Sequence, residues 1–383
     1  MIEKRALLRN LALASAIVLV AGCKVIPKGP AVSAPAPVAS EAPGGTLPTD
    51  RERHRIALLV PLSGANAGVG QSLANATTMA LLDTNAANLR ITTYDTATGA
   101  QGAAARALAD GNKLILGPLL SGDVRTVAAM ARPAHVPIIS FSNDASVAAD
   151  DVFVLGHVPA QAVARVVSFA KAKGMTRFAA LIPGGEYGQR AGAALNAAVR
   201  AVGGSLVANE SYDRGNTSII SAAQRLKAKG GYDAVLIADG ARMAVRAAPL
   251  LKAVGAVAPH ILGTELWSGE STVLATPALR GAWYATVTDA RYAKFVSSYR
   301  ARFGVSPYRI ATLGYDGVLL TLNVARDWRP GTLFPTRKLG DRGGFIGLDG
   351  AFRFADDNVV ERSWEVREVG AGVVAAAPGR FGN

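Results

Sequence analysis

The chain has 383 residues, which is too long for one compact core and suits two domains or lobes. Hydrophobic residues make up 50% and charged residues 18%, so disorder is excluded for most of the chain. A single cysteine excludes a disulfide framework and a thiolate metal cluster. The formal charge of +13 favours anionic neighbours or solubility and specifies no fold.

Residues 1–22 have the pattern of a secretory signal. Three basic residues among the first nine precede an apolar run from Leu11 to Val20, and Val20-Ala21-Gly22-Cys23 follows. The run is too short to span a bilayer, so the segment predicts a cleaved signal peptide. Its end resembles the lipobox of bacterial lipoproteins. That resemblance implies lipidation at Cys23, and Lys24 after it favours the outer membrane over the inner membrane.

Residues 23–53 are predicted to be a tether. Six prolines lie between Pro27 and Pro48, with Ala, Ser and Gly between them and no aromatic residue. Such a composition cannot bury a core and favours extended conformations. It would hold the folded part of the protein away from the membrane.

From Arg55 onward, short apolar runs alternate with helical segments of 10–15 residues, which predicts parallel sheets covered on both faces. Most of the runs end in loops rich in Ser, Gly, Asn or Asp, and this carboxyl edge is where open α/β sheets bind ligands. The strands are predicted over 56–60, 89–94, 113–116, 137–140, 177–182, 205–210, 234–238 and 260–262.

An ordered set of short motifs extends from about Arg55 to Glu368. The motifs are Ile56-Ala57-Leu58-Leu59-Val60-Pro61-Leu62-Ser63-Gly64, Leu116-Gly117-Pro118, Pro137-Ile138-Ile139-Ser140, Glu186-Tyr187-Gly188, Gly314-Tyr315-Asp316 and Gly344-Phe345-Ile346-Gly347. The set resembles the type I periplasmic binding proteins of the leucine/isoleucine/valine class. Around Leu116–Asp144 it also resembles the lipoproteins known as penicillin-binding-protein activators, which use the same fold.

The resemblance implies an α/β fold of two Rossmann-like lobes, whose parallel sheets are joined by several crossovers. With passages expected near Pro159, Trp283 and Pro330, the first lobe is predicted to contain residues 54–159 plus 285–329. The second lobe is predicted to contain residues 160–284 plus 330–383.

Motifs for catalysis are missing from the sequence. There is no G-x-S-x-G elbow or Walker A loop, and Ser168-Phe169-Ala170-Lys171 has no Lys-Thr-Gly partner. The four histidines lack metal-ligand spacing and are expected at the surface or at strand edges. We therefore predict no catalytic residue, metal or cofactor. Nucleic acid binding is not expected, because the chain is predicted to be exported and has no matching aromatic or basic motif.

A small ligand is expected between the lobes, where strand-end loops face each other. On the first lobe, hydroxyl and carboxylate side chains are expected near helix starts, at Ser63, Ser121, Ser142 and Asp144. Hydroxyls and the N–H groups at a helix start are suitable donors to the carboxylate of a ligand. Ser121 and Asp144 have helix N-caps as their alternative role. Phe141 is expected to narrow this pocket.

On the second lobe, the loops after predicted strands carry Tyr187, Asp239 and Glu265. A carboxylate and a phenol there could hold an ammonium group. In the amino-acid-binding relatives, the resemblance implies ligand contacts at the positions of Ser121, Ser142, Asp144, Tyr187 and Glu265.

Two functions remain open from the sequence. The first is a lipid-anchored periplasmic receptor for a small polar, amino-acid-like ligand, working with an ABC permease. The second is a penicillin-binding-protein activator that docks on a peptidoglycan synthase. The zwitterion-compatible loops favour the first, while the local resemblance and the expected outer-membrane address favour the second.

Overall fold

The computed structural model describes residues 52–252 and 258–381, all within one compact unit spanning Asp50–Asn383. The predicted signal peptide, Cys23 and nearly all of the tether lie outside the described residues. None of the helices in the described ranges is long and apolar enough to cross a bilayer.

Strands and helices alternate through most of the chain. The strands are β1 (His54–Val60), β2 (Leu89–Asp95), β3 (Leu114–Leu116), β4 (Ile138–Ser140), β5 (Val152–Val154), β6 (Arg177–Pro183), β7 (Ser205–Tyr212), β8 (Ala234–Ile237), β9 (His260–Gly263), β10 (Trp283–Thr286), β11 (Phe345–Gly347), β12 (Gly350–Phe354), β13 (Val360–Arg362), β14 (Glu365–Glu368) and β15 (Gly372–Ala375). The α-helices are α1 (Ala67–Asp83), α2 (Ala100–Ala109), α3 (Ser121–Ala131), α4 (Pro159–Ala172), α5 (Glu186–Ala201), α6 (Ser218–Lys229), α7 (Ala241–Leu251), α8 (Ser271–Ala275), α9 (Tyr292–Phe303) and α10 (Thr312–Ala325).

The first sheet is parallel, with strand order β2-β1-β3-β4-β5. Side chains of β1 alternate between its two faces, as the two-residue period of a strand requires. Ile56 and Leu58 pack with α1 and α10, whereas Ala57 and Leu59 pack with α2 and α3. The near-continuous apolar run of β1 therefore follows from burial on both faces.

The second sheet has the order β15-β14-β10-β9-β8-β6-β7. Strands β6 to β10 are parallel, and β14 and β15 are added antiparallel to them. One face of this sheet packs against α6 and α7, and the other against α4 and α5. The parallel arrangement brings the carboxyl ends of β6, β8 and β9 to one edge.

Within the described residues, the chain passes between the two sheets after β5, after β10 and after β13. The last passage differs from the one expected near Pro330. Phe334, Leu339, Phe345 and Phe352 join the core of the first sheet, so residues 330–362 pack there instead of with the second lobe. The sequence pattern could not assign this segment, because its short antiparallel sheet β11-β12-β13 has an apolar face that fits either lobe.

A cluster of buried charges lies at these passages. Asp349, in the turn between β11 and β12, is fully buried and bonds Arg309 at 2.6 Å and His157 at 2.8 Å. His157 follows β5, and Arg362 at the end of β13 donates to the Leu155 carbonyl at 2.6 Å. The expectation that every histidine lies at the surface or at a strand edge is wrong for His157.

Candidate functional site

The loop after β4 carries the first group of predicted ligand residues. Ser142 is buried, and its Oγ accepts the Asp144 N–H at 3.2 Å. Asp144 caps a short 3-10 helix through the Ser146 N–H, at 3.0 Å. Both side chains therefore stabilise the loop, and Asp144 has the N-cap role that was its alternative.

Ser63 and Ser121 lie on different loops of the first lobe. Ser63 follows β1, and its Oγ donates to Asp95 Oδ2 at 2.9 Å. Ser121 is the first residue of α3, after the Leu120 N-cap. Its Oγ lies 3.4 Å from Glu186 Oε2 on the second lobe. Of these two hydroxyls, it is Ser121 that forms a hydrogen bond to the other lobe.

Tyr187 and Glu265, predicted from separate loops, contact each other. Tyr187 is the second residue of α5, and Glu265 follows β9 in a 3-10 turn. The Tyr187 hydroxyl donates to Glu265 Oε1 at 2.9 Å and lies 3.1 Å from Thr264 Oγ1. Glu265 Oε2 is buried and has no hydrogen-bond partner among the described residues.

The electrostatics of this pair come mainly from burial. Removal from water raises the pKa of the Glu265 carboxyl to about 7, although the hydrogen bond from Tyr187 opposes the shift. Burial, with the nearby Glu265 charge, raises the pKa of Tyr187 well above its ordinary value. At neutral pH, Glu265 is therefore poised between its charged and neutral forms.

Two charged residues extend the surface around Tyr187. The Arg214 guanidinium lies 5.4 Å from the centroid of the Tyr187 ring, and its Nε bonds Asp239 Oδ2 at 2.8 Å. Asp239 follows β8 and also accepts a 2.7 Å hydrogen bond from Tyr212. The sequence placed Asp239 near the ligand but did not identify Arg214.

Arg190 was missed by the sequence analysis and makes direct contacts between the lobes. From α5, its Nη1 lies 3.2 Å from Asp144 Oδ2, and its Nη2 donates to Asn143 Oδ1 at 3.2 Å. Burial alone would raise the pKa of Asp144, but hydrogen bonds from Ser146 and the charges of Arg190 and Arg125 hold it below its ordinary value. One signal was available: Arg190 is three residues after Tyr187, on the same helix face.

A cavity of about 360 Å³ opens beside the loop that carries Glu265. Ser268, Gly269 and Glu270 line it from the second lobe, and residues 306–309 line it from the segment before α10. Its volume is within the range of small-molecule sites. Phe141, expected to narrow the ligand pocket, is instead fully buried in the core of the first sheet.

No group of three or more His, Cys, Asp or Glu side chains in the described ranges is arranged to hold a metal ion. The two facing lobes carry carboxylates, guanidinium groups, hydroxyls and a phenol, which are groups that can bind a polar ligand. Two α/β sheets, with polar loops at the carboxyl ends of their parallel strands, define a two-lobed binding protein.

Residues 54–372 match the model of a family described as periplasmic binding proteins. Because this match spans most of the chain, the protein belongs to that family. The predicted resemblance to type I periplasmic binding proteins and the predicted α/β fold class are confirmed. Membership implies an extracytoplasmic location and the binding of a solute.

Solved structures share the fold at low sequence identity. An ABC transporter substrate-binding protein from Sphaerobacter thermophilus is 20% identical with a TM-score of 0.70, covering 86% of this chain and 98% of its own. A Streptococcus pneumoniae branched-chain amino acid transporter substrate-binding protein, solved with isoleucine, is 19% identical with a TM-score of 0.65, covering 85% and 100%. A Rhodopseudomonas palustris solute-binding protein, solved with 3,4-dihydroxybenzoic acid, is 18% identical with a TM-score of 0.68, covering 86% and 97%.

A relative from Rickettsia prowazekii, an uncharacterized protein, is 31% identical over 142 residues. The match covers 37% of this chain and 38% of that protein, so the chain matches well under half of the relative's length.

Proposed function

We propose that the protein is a lipid-anchored periplasmic receptor that holds a small, amino-acid-like ligand between its lobes and delivers it to an ABC permease. The observation that carries the proposal is the Tyr187–Glu265 pair. A buried carboxylate oxygen without a hydrogen-bond partner needs a donor, and an ammonium group is the donor that best matches a carboxylate. A cavity of about 360 Å³ opens a few residues further along the same loop, at Ser268–Glu270, and has the volume of a small-molecule site, although Glu265 and Tyr187 do not line it.

The fold relatives support this class of ligand without specifying it. One was solved with isoleucine and another with 3,4-dihydroxybenzoic acid. Both are small molecules that carry a carboxyl group. The partnerless oxygen of Glu265 supports the amino acid, because it suits an ammonium group better than an aromatic ring.

The first test replaces Glu265. We expect Glu265→Gln to weaken binding of the amino acid ligand at least tenfold, because a charge-assisted hydrogen bond is worth about 1.5–3 kcal/mol and 1.4 kcal/mol is one decade. Tyr187→Phe should cost less, since it removes one neutral hydroxyl. Isothermal titration calorimetry against the twenty amino acids measures both effects.

The pH dependence provides an independent readout of the same interaction. An ammonium ligand requires ionised Glu265, whose pKa burial raises to about 7, so affinity should rise between about pH 6 and 8 and then level off. Glu361→Gln, in the half-buried pair with Arg353, is the matched control and should leave affinity unchanged. Equal affinities for wild type and Glu265→Gln would refute the ammonium site.

A second function is favoured by a different observation. Arg190, Asp144 and Asn143 join the lobes directly through side chains of the chain itself. A cleft closed in this way suits a penicillin-binding-protein activator, whose outer surface contacts a peptidoglycan synthase. This alternative requires that no amino acid binds and that the chain changes the glycan-polymerising rate of a detergent-solubilised synthase.

Membrane attachment is tested at Cys23, which lies outside the described residues. Because Cys23 is the only cysteine, we expect Cys23→Ser to abolish lipidation and leave the protein soluble or uncleaved. Membrane flotation and separation of inner from outer membranes measure this directly, and the outer membrane is the expected location of wild type. A variant that still floats with membranes would contradict the lipoprotein proposal.

A further inference from the structure

Arg190 has one buried nitrogen that nothing in the described structure satisfies. Its Nη1 contacts Asp144 and Glu186, at 3.2 and 3.3 Å, and its Nη2 contacts Asn143. Its Nε is buried and has no acceptor among the described residues. Guanidinium nitrogens only donate hydrogen bonds, so this N–H requires an acceptor that the chain does not supply.

Asp144 does not depend on Arg190 alone. Arg125 Nη2 lies 3.5 Å from Asp144 Oδ2, and both the N–H and the hydroxyl of Ser146 bond Asp144 Oδ1. If Arg190 turned toward another anion, Asp144 would keep a cation and two hydrogen bonds. Arg190 is therefore the member of this group that is free to change partner.

The partnerless donor is connected through Tyr187 to a partnerless acceptor. Arg190 is one helical turn after Tyr187, and Tyr187 bonds Glu265, whose Oε2 lacks a donor. The second lobe therefore carries a cationic donor on the same helix as Tyr187 and an acidic acceptor bonded to the Tyr187 hydroxyl. A carboxylate suits the first and an ammonium group suits the second, because charge-assisted hydrogen bonds are the stronger ones.

We propose that Arg190 binds the carboxylate of the ligand while Glu265 binds its ammonium group, so that the second lobe holds both ends of a free amino acid. The inference rests on the proposed receptor function and narrows its ligand class. Amino acid amides, esters and simple amines lack the carboxylate and are rejected.

This assignment differs from the expectation that first-lobe hydroxyls hold the carboxylate. The Ser121 Oγ already contacts Glu186, whereas the Arg190 Nε has no acceptor among the described residues. The first lobe then serves mainly to close over the ligand. Arg190 couples the two events, because binding the ligand changes the contact that joins the lobes.

The experiment compares acids with their amides on the full-length chain. The twenty amino acids are titrated into wild type by calorimetry, and the tightest one is compared with its carboxamide. We expect the carboxamide to bind wild type at least tenfold more weakly. Arg190→Gln should weaken the acid at least tenfold, leave the amide unchanged and so bring the acid-to-amide ratio near one.

Arg200→Gln is the matched control, because Arg200 is on the same helix, is exposed and has the same charge change. Arg190→Lys keeps the charge and should recover part of the preference for the acid. Circular dichroism of each ligand-free variant verifies folding.

The outcomes separate the two proposals. If Arg190→Gln keeps the wild-type preference for acid over amide, while Glu265→Gln still weakens binding, the role of Arg190 is refuted and the receptor function stands. If no amino acid binds wild type, the receptor function fails and this inference fails with it.

Discussion

Asp349→Asn is expected to lower the free energy of unfolding by about 3–5 kcal/mol, the usual cost of removing one partner from a buried ion pair. Asp349 is fully buried, with Arg309 and His157 within 2.8 Å. Burial would raise the pKa of Asp349, but the charge of Arg309 and the hydrogen bond to His157 hold it far below its ordinary value. The substitution leaves buried arginines without enough negative charge.

Urea denaturation followed by circular dichroism measures this loss. Asp327→Asn is the control, because Asp327 pairs with Lys338 on the surface and such pairs contribute at most about 1 kcal/mol. A loss of less than 1 kcal/mol in Asp349→Asn would mean that the buried charges contribute little to stability.

The location of Asp349 gives the substitution a second consequence. Arg309 also reaches the Thr288 carbonyl and Asp289, on the passage after β10, and His157 lies on the passage after β5. The buried cluster therefore connects segments that any rotation of the lobes must bend. We expect Asp349→Asn to change lobe closure as well as stability, because it loosens these connections.

The sequence predicted the parts of the fold that depend on local patterns. Both faces of β1 are buried, so its apolar run was visible without any partner, and the alternation of such runs with helices specified parallel sheets. The segment 330–362 could not be placed, because its apolar side chains fit the core of either lobe. Its position depends on long-range packing that no short window of sequence contains.

The candidate site was predictable to a similar extent. Tyr187 and Glu265 are 78 residues apart, and the expectation that strand-end loops share one edge was enough to bring them together. Arg214 was missed, because an arginine in a basic chain carries no local signal of burial, and the helical spacing from Tyr187 was the one signal for Arg190. Asp349 was missed because an aspartate in a turn is ordinarily exposed, and nothing in the sequence around it indicates burial.

Gly188 allows helix α5 to pack closely against the end of β6. This contact positions the start of α5, which carries Tyr187 and Arg190. A Cβ on Gly188 would lie 1.7 Å from the Pro183 carbonyl oxygen at the end of β6. The same relation occurs in the first sheet, where a Cβ on Gly70 would lie 1.8 Å from the Pro61 carbonyl. In each lobe, the helix after the first strand therefore packs directly on backbone.

We expect Gly188→Ala to destabilise the protein by about 3 kcal/mol or more, because a backbone oxygen cannot move aside as a flexible side chain can. The start of α5 would have to shift away from β6, and Tyr187 and Arg190 would shift with it. Ligand affinity should therefore fall more than the loss of stability alone explains.

Gly122→Ala, in the first turn of α3, is the matched control, because its Cβ would meet nothing within 4 Å. Its stability should be unchanged or higher by up to about 1 kcal/mol, since alanine favours helix. Urea midpoints and titrations of both variants make the comparison, and similar stabilities for the two would show that the α5–β6 contact relaxes without cost.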